Sequence, residues 1–271
     1  MRNLIIEKSL NIMFDQEKYF LEYKGNKATL RDIPWDMKLF GFNVYDLSLD
    51  ETLGDASIHE FLSTIDDKAR SLKVDLMTTR ITQSNLHVIN ALENDGFRYI
   101  EASYRPFLNC SDMFFSPNDF FSISLCTDSE VMSISEQIGD MFKFGRYHQD
   151  ERIPNKLADI RYKNWLVNSI SVDTQLVYKC SDSLDATVAF FVVDKVSDSE
   201  AFLSLVGMME AFRGKGLASS VWKTMLCYIK DRGYSKVSTS ISSHNIAIFN
   251  LYVGLGFSFP EPELSFHKWY K

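Results

Sequence analysis

The chain has few cysteines, no run of basic residues and no long apolar stretch, and each shortage argues against a class of protein. The four cysteines show neither a C-x-x-C spacing nor neighbouring pairs of histidines, which argues against both a zinc site and a disulfide framework. We therefore expect buried free thiols and no metal at positions Cys110, Cys126, Cys180 and Cys227.

Charge and hydropathy exclude further partners. The net charge of −7 and the absence of Lys/Arg runs argue against nucleic-acid binding and against an anionic membrane surface. No apolar run approaches the length of a membrane span, and the N-terminal residues become charged too soon for a signal peptide. The expected location is therefore cytoplasmic.

A glycine-rich loop is the most informative feature that the chain does have. The loop Arg213–Ala218 follows a strand-like run, Ala201–Met209, and precedes a helix-like run. Its glycines allow backbone N–H groups to point into a concave loop at a helix N-terminus, which is a phosphate-binding arrangement. The loop consists of Arg213, Gly214, Lys215, Gly216, Leu217 and Ala218.

A second motif follows about thirty residues later, at Asn245–Phe257. It predicts a short helix with Tyr252 in its last turn, stopped by Gly254 and Gly256 before a new strand. The two motifs at this spacing resemble the acyl-CoA-binding core of the GCN5-related N-acetyltransferases, the GNAT superfamily.

The resemblance implies a cofactor, acetyl-CoA or another short acyl-CoA such as a hydroxybutyryl donor. Its pyrophosphate would lie on the backbone amides of the Arg213–Ala218 loop. The pantetheine arm would pair with the preceding strand, where two parallel strands diverge, and would contact two asparagines. The residues implied for this arm are Val206, Met208, Met209, Asn245 and Asn250.

An internal repeat indicates a doubled architecture. Residues 85–97 match residues 245–257, 160 positions apart, with two asparagines and a Gly-Phe pair coinciding. Each copy follows a strand signal, so the chain resembles two tandem GNAT-like halves. The expected fold is α/β, with mixed, mostly antiparallel sheets flanked by helices.

The N-terminal half is expected to be incomplete. Leu92 stands where the second copy has Tyr252, and the region before Asn85 offers only a single glycine, Gly54, in place of the Gly-x-Gly loop. This half should therefore neither bind CoA nor catalyse. The predicted domains are residues 1–115, degenerate, and residues 116–271, catalytic, with a Ser-Pro-Asn turn near the join.

Two further segments, residues 34–42 and 144–154, look like the matching segments of bacterial nucleotide-sugar N-acyltransferases, the group containing TDP-fucosamine acetyltransferase. This resemblance implies a dTDP-linked 3- or 4-amino-dideoxyhexose as acceptor, for cell-surface polysaccharides such as lipopolysaccharide. Aromatic rings could stack on the pyrimidine, and polar side chains could reach the sugar or its diphosphate. The alternative is a hydrophobic hairpin and a solvated loop. The residues concerned are Trp35, Phe40, Phe42, Arg146, His148 and Asp150.

The mechanism expected for the family is direct attack of a neutral amine on the thioester, with strand amides near Met208–Met209 polarising the carbonyl oxygen. Tyr252 is the predicted general acid, because a phenol stays protonated until thiolate develops. His148, oriented by Asp150, is the predicted base. His267 and Glu210 are weaker rivals.

Two other functions stay open at this point. An acidic surface would also suit a GNAT acetyltransferase acting on a peptide, a polyamine or another small amine. A non-catalytic acyl-CoA-binding module is the third alternative, against which the presence of Tyr252 argues. Oligomeric state, including a homodimer, is left open.

Overall fold

The computed structural model describes residues 5–11, 16–50 and 57–270. The chain divides into two compact units, an N-terminal unit of Met1–Ser103 with Glu261–Lys271 and a C-terminal unit of Tyr104–Pro260. The first elements in chain order are β1 (Ile5–Asn11), β2 (Gln16–Tyr23), β3 (Asn26–Asp32), α1 (Pro34–Phe40), β4 (Val44–Leu49), α2 (Ile58–Ser71), β5 (Leu76–Thr82), α3 (Leu86–Asn94), β6 (Arg98–Tyr104) and β7 (Phe107–Asn109). The remaining elements are β8 (Ser122–Leu125), α4 (Asp128–Gln137), α5 (Arg146–Gln149), α6 (Asn155–Asn168), β9 (Gln175–Ser181), β10 (Thr187–Lys195), β11 (Glu200–Met208), α7 (Ala218–Asp231), β12 (Lys236–Thr239), β13 (Ile241–Ser242), α8 (Ile246–Gly254) and β14 (Glu263–Trp269).

The N-terminal unit is built on a sheet in which β1, β2, β3, β4, β5, β14 and β6 lie side by side in that order. All neighbours are antiparallel except β4 and β5, which are parallel and joined through α2. Apolar residues of α2 at helical spacing pack on one face of this sheet, including Phe61, Leu62 and Ile65, each at most 1% exposed.

The C-terminal unit has its own sheet, in the order β7, β12, β11, β10, β9, β8. Its one parallel pair, among the residues that the structure describes, is β11 with β12. Helix α7 joins these two strands and buries Val221, Met225 and Ile229 against the sheet. Full burial of one such side chain stabilises the fold by roughly 1.5–3 kcal/mol. The expected α/β class, with mixed sheets flanked by helices, is confirmed.

The two units repeat at an interval of 160 residues. Helices α2 and α7 are each 14 residues long, and helices α3 and α8 are each 9 residues long. The parallel strands also correspond, because β4 pairs with β5 from Val44 opposite Leu76, as β11 pairs with β12 from Glu200 opposite Lys236. The internal repeat is therefore longer than the thirteen residues recognised from the sequence.

Each unit takes one strand from outside its own stretch of repeat. Strand β14, near the end of the chain, lies between β5 and β6 of the N-terminal unit. Strand β7, which follows β6, pairs with β12 of the C-terminal unit. The sequence placed the domain join at residues 115 and 116, whereas the first compact unit ends at Ser103 and the last residues return to it. A turn signal marks where the chain reverses and carries no information on which sheet the strand beside it joins.

Local expectations in the C-terminal unit are met at some elements and missed at others. The capping box at the start of α4 is present, since the Thr127 side chain accepts from the Glu130 N–H and the Glu130 carboxylate accepts from the Thr127 N–H. Residues 144–154, expected as a loop, contain the short helix α5. In α6 the buried side chains are Ala158 and Leu166; the sequence favoured Leu157, Ile160, Trp165 and Val167, which are half-buried.

Candidate active site

The predicted phosphate loop lies at the N-terminus of α7. Gly214 and Gly216 both have φ of +72°, in the left-handed region that strongly favours glycine. The first hydrogen bond of the helix runs from the Val221 N–H to the Leu217 carbonyl at 3.0 Å, so the N–H groups before it lack carbonyl partners within the helix. Residues 213–216 are exposed to solvent. The loop therefore presents a helix N-terminus to an anion.

Strands β11 and β12 diverge beside this loop. Their parallel pairing runs from Glu200 opposite Lys236 to Leu203 opposite Thr239, whereas β11 continues to Met208. A ladder irregularity at Val192/Val193 of the neighbouring β10 marks the same point, where Ser204 is the extra residue.

The register with β10 determines which backbone groups of β11 face this gap. The Met209 N–H donates to the Val188 carbonyl at 2.9 Å, so Val188 and Met209 form a hydrogen-bonded antiparallel pair. By alternation, Met208 and Val206 occupy non-hydrogen-bonded positions opposite β10, and their N–H and C=O groups point away from it. An extended ligand arm could pair with these groups as an added strand would.

Two details of this strand differ from the sequence-based expectation. The Met209 N–H bonds within the sheet, so it is not available to polarise a carbonyl oxygen, and Met208 is the residue whose amide faces the gap. Arg213 Nε donates to the Met208 carbonyl at 2.9 Å, which draws this arginine back over the end of the strand.

Tyr252 lies in the last turn of α8 and is 2% exposed. Its hydroxyl oxygen accepts a hydrogen bond from Trp222 Nε1 of α7 at 3.2 Å, and its ring packs edge-on against Phe257 with centroids 4.6 Å apart. The Thr239 side chain also hydrogen-bonds to the phenol. Since Thr239 is the last residue of β12 paired with β11, the phenol lies where the two strands begin to diverge.

The protonation of Tyr252 suits an acid. Burial raises the pKa of its phenol above the ordinary value, and the bonds from Trp222 and Thr239 oppose this rise without cancelling it. The group is therefore protonated at neutral pH. A proton donor next to a nascent thiolate needs this state, because the pKa of a phenol exceeds that of a thiol.

His148 lies in α5 and its side chain is 5% exposed. Its Nε2 is 3.0 Å from Asp159 Oδ1 of α6, and its ring stacks on Tyr162 with centroids 5.8 Å apart. Its Nδ1 is buried without a hydrogen-bond partner among the described residues. The partner predicted from sequence, Asp150, is wrong, because the Asp150 carboxylate accepts from the Arg152 N–H at 3.0 Å and closes its own turn.

The segment around α5 reaches the sheet through aromatic side chains. Tyr162 stacks on Phe142, and Phe142 packs edge-on against Phe190 of β10. Arg146 contacts its neighbour Tyr147, with the guanidinium carbon 4.9 Å from the ring centroid, and Arg161 covers the same ring at 5.0 Å. These contacts give the segment a fixed position in the C-terminal unit.

The aromatic segment near residue 34 forms helix α1 of the N-terminal unit. Phe40 is buried and stacks on Phe42, with ring centroids 5.4 Å apart, and Phe42 packs on Trp269 at 5.0 Å. Only Trp35 of the three predicted aromatics presents a large exposed surface, 42%. The hairpin reading of this segment is wrong, because Pro34 begins a helix that ends at Gly41 with φ of +76°.

The remaining predicted residues have the following places. Asn245 caps α8, since its side-chain oxygen accepts from the Ile248 N–H at 3.3 Å, and Asn250 is exposed on the same helix. Glu210 is exposed directly after β11, and His267 is buried in β14 of the N-terminal unit. Within residues 5–11, 16–50 and 57–270, no cluster of side chains suited to a metal ion is found. In the same ranges no helix has the length and hydropathy of a membrane span.

Three residues of this site were missed from the sequence: Trp222, Thr239 and Asp159. Trp222 lies on the buried face of α7, one of several apolar positions at helical spacing, so its indole carried no special signal. Asp159 is eleven residues from His148 and in the next helix. A helix-to-helix contact of this kind cannot be identified without the tertiary structure.

Comparison with known proteins defines the class. Residues 144–257 match the Acetyltransferase (GNAT) family, so this part of the chain is a GNAT acetyltransferase domain. Family and fold together identify an acyl-CoA-dependent N-acyltransferase.

Particular relatives are distant. The chain is 18% identical over 240 residues to the spore coat polysaccharide biosynthesis protein SpsD of Bacillus subtilis (strain 168), covering 88% of this chain and 82% of that protein. A GCN5-related N-acetyltransferase from Sphaerobacter thermophilus has a similar structure, with a TM-score of 0.66 at 11% identity over 96% of this chain and 82% of the other. A tandem GNAT protein from the clavulanic acid biosynthesis pathway has a TM-score of 0.63 at 11% identity, over 94% and 82%. The tandem GNAT architecture is thereby confirmed.

Proposed function

We propose that the protein transfers an acetyl or short hydroxyacyl group from acyl-CoA to the amine of a dTDP-linked 3- or 4-amino-dideoxyhexose. The observation that carries the acyl-CoA part is the placement of Tyr252 where β11 and β12 diverge, beside a helix N-terminus with two left-handed glycines. The acceptor is supported by the likeness to SpsD, a polysaccharide biosynthesis protein, over 88% of the chain.

The acyl donor would be held by backbone groups. The N–H groups of residues 213–218 and the dipole of α7 suit the pyrophosphate, and the outward-facing backbone of Val206 and Met208 suits the pantetheine amides. Because backbone amides cannot change their charge, this binding should depend little on pH. Lys215 adds a positive charge at the loop.

Transfer would proceed by direct attack. The amine nitrogen forms a bond to the thioester carbon, the Met208 N–H stabilises the negative charge on the carbonyl oxygen, and the C–S bond then breaks. The sulfur takes the electron pair and receives the Tyr252 proton. The proton that the amine loses passes to His148, which restores the balance by returning it to solvent.

A thiol-release assay across amine classes tests this function. With acetyl-CoA or a short hydroxyacyl-CoA, we expect dTDP-3-amino- or dTDP-4-amino-dideoxyhexose to release CoA thiol far faster than spermidine, lysine peptides or free amino sugars. Remote binding energy positions the amine, so the sugar without its nucleotide should lose orders of magnitude in kcat/KM.

The panel separates the competing functions. A polyamine or peptide that outruns every nucleotide sugar would remove the acceptor assignment and leave the acyl-CoA site. Stoichiometric CoA binding with no thiol release from any amine would instead indicate a non-catalytic binding module. Tyr252→Phe, assayed alongside, controls for thioester hydrolysis that does not depend on the acid.

A further inference from the structure

The hydrogen bond between Trp222 and Tyr252 is buried, since each side chain is 2% exposed. An indole N–H can only donate, so the phenol oxygen is the acceptor at 3.2 Å. The phenol keeps its own proton for a different partner. This bond therefore fixes the direction of donation at Tyr252 as well as the position of its oxygen.

The internal repeat provides a control for the packing role of this pair. The positions 160 residues earlier hold Leu62 in α2 and Leu92 in α3, which are 1% and 0% exposed. Two leucines thus fill the corresponding place between helix and sheet in the N-terminal unit. The fold does not require an indole or a phenol there.

The neighbouring threonine strengthens the contrast. Thr239 Oγ1 donates to the Leu203 carbonyl at 2.8 Å in the C-terminal unit. Its counterpart Thr79, paired with Leu47 in the same way, has a buried hydroxyl without a hydrogen-bond partner among the described residues. The backbone frame is common to both units, and the connected polar group exists in the C-terminal unit, which carries the phosphate loop.

We propose that Trp222 is a positioning residue for acyl transfer, whose indole N–H holds the Tyr252 hydroxyl so that the phenol proton is given to the departing CoA sulfur. This proposal rests on the proposed function. As the C–S bond breaks, the sulfur gains the electron pair and the proton, and the phenolate formed keeps the hydrogen bond from Trp222. The phenolate then regains a proton from solvent. Trp222 also lies in the second turn of α7, so the same helix would hold the pyrophosphate and orient the acid.

Trp222→Phe and Trp222→Leu test the role of the indole N–H. We expect kcat to fall by about 10- to 100-fold, with the dissociation constant of acetyl-CoA changed by less than about 3-fold, since only the orientation of the acid is altered. The contacts of the hydroxyl, Trp222 and Thr239, do not titrate, so the alkaline limb of kcat should report the phenol alone. Loss of a donor that favours the phenolate should move that limb to higher pH.

Phe191→Leu is the matched control, because Phe191 packs edge-on against Trp222, with centroids 5.1 Å apart, and makes no bond to the phenol. It should leave the alkaline limb in place. Trp222→Phe combined with Tyr252→Phe should be no slower than Tyr252→Phe alone. Equal losses in Phe191→Leu and Trp222→Phe without a shift of the limb, or full kcat in Trp222→Phe, would overturn the proposal.

A measurement without turnover separates this inference from the proposed function. The indole ¹H–¹⁵N resonance of Trp222, assigned by its loss in Trp222→Phe, should move upfield in Tyr252→Phe. A resonance that does not move would overturn the hydrogen bond and the inference with it. A moving resonance in a protein that transfers acyl groups to no amine would overturn the proposed function alone.

Discussion

The two units share their backbone at the repeated helix and differ in the side chain that it carries. In the N-terminal unit the Phe97 N–H donates to the Leu92 carbonyl at 2.9 Å, and in the C-terminal unit the Phe257 N–H donates to the Tyr252 carbonyl at 3.0 Å. The turn that enters each helix is also closed by the same bond, at 3.0 Å in both units. Main-chain geometry is thus independent of whether position 92 or 252 holds a leucine or a tyrosine.

The phosphate loop shows the same separation of fold from chemistry at the level of sequence. Positions 160 residues before Gly214, Lys215 and Gly216 hold Gly54, Asp55 and Ala56, which lie outside the described residues. An aspartate in place of a lysine would repel a pyrophosphate, and alanine adopts a left-handed φ only at a cost of about 1–2 kcal/mol. The chain therefore keeps the doubled fold and confines the acyl-CoA chemistry to one copy.

Tyr252→Phe is the sharpest way to test this difference. We expect kcat to fall by about 10²–10⁴-fold with little change in KM for the acyl donor, because the acid acts only as thiolate develops. Leu92→Phe is the matched variant in the other unit and should leave kcat unchanged. Near-full kcat in Tyr252→Phe would demote the residue to packing.

Lys268→Met tests which unit depends on the last strand. Lys268 Nζ lies 2.6 Å from Asp66 Oδ2 and 2.7 Å from Asp95 Oδ2, and it is only 9% exposed. Removing the cation leaves two carboxylates in a low-dielectric site, which should cost about 3–5 kcal/mol of unfolding free energy. Denaturant unfolding should show this loss in the N-terminal unit, while titration calorimetry still shows CoA binding. Lys195→Met, which breaks an exposed pair with Asp198, is the control and should change stability by less than about 1 kcal/mol.

Gly216→Val tests the confinement of binding to one copy. Titration of the wild-type chain with acetyl-CoA should give one site, and the variant should lose at least about 100-fold in affinity. A β-branched residue at a φ of +72° is strained by roughly 1–3 kcal/mol, and its side chain would obstruct the backbone approach to phosphate. Ala56→Val, at the matching position, should bind normally. Two sites per chain would end the idea of an incomplete N-terminal half.

Asp159→Asn has the smallest expected effect and asks whether His148 is the base. An ionised Asp159 can only accept, so it keeps the proton on Nε2 and leaves the lone pair on Nδ1. The amide can stabilise either tautomer, so we expect kcat to fall about 10-fold, with unchanged acyl-CoA affinity. Asp150→Asn, which alters the partner predicted from sequence, should have a weaker effect on kcat. Equal effects of the two variants would contradict the His148–Asp159 assignment.

The sequence predicted those features that depend on local pattern. The glycine loop, the Asn245–Phe257 helix with its Gly256 turn and the capping box at Thr127 follow from spacing and backbone preference alone, and the structure has all of them. Features that depend on contacts between distant segments were not predictable. The position of β14 between β5 and β6 is of this kind, as are the bond from Trp222 to Tyr252 and the pair of His148 with Asp159.

The place of β14 has a consequence for synthesis on the ribosome. Strands β5 and β6 are complete once residue 104 has been made, but the strand that lies between them is made only at residues 263–269. At about 5–20 residues per second, the gap between them stays open for roughly 8–30 s of translation. During that interval two strand edges have unpaired N–H and C=O groups, which favour pairing with other chains. Agents that bind nascent chains should therefore have their largest effect on yield before the last ten residues emerge.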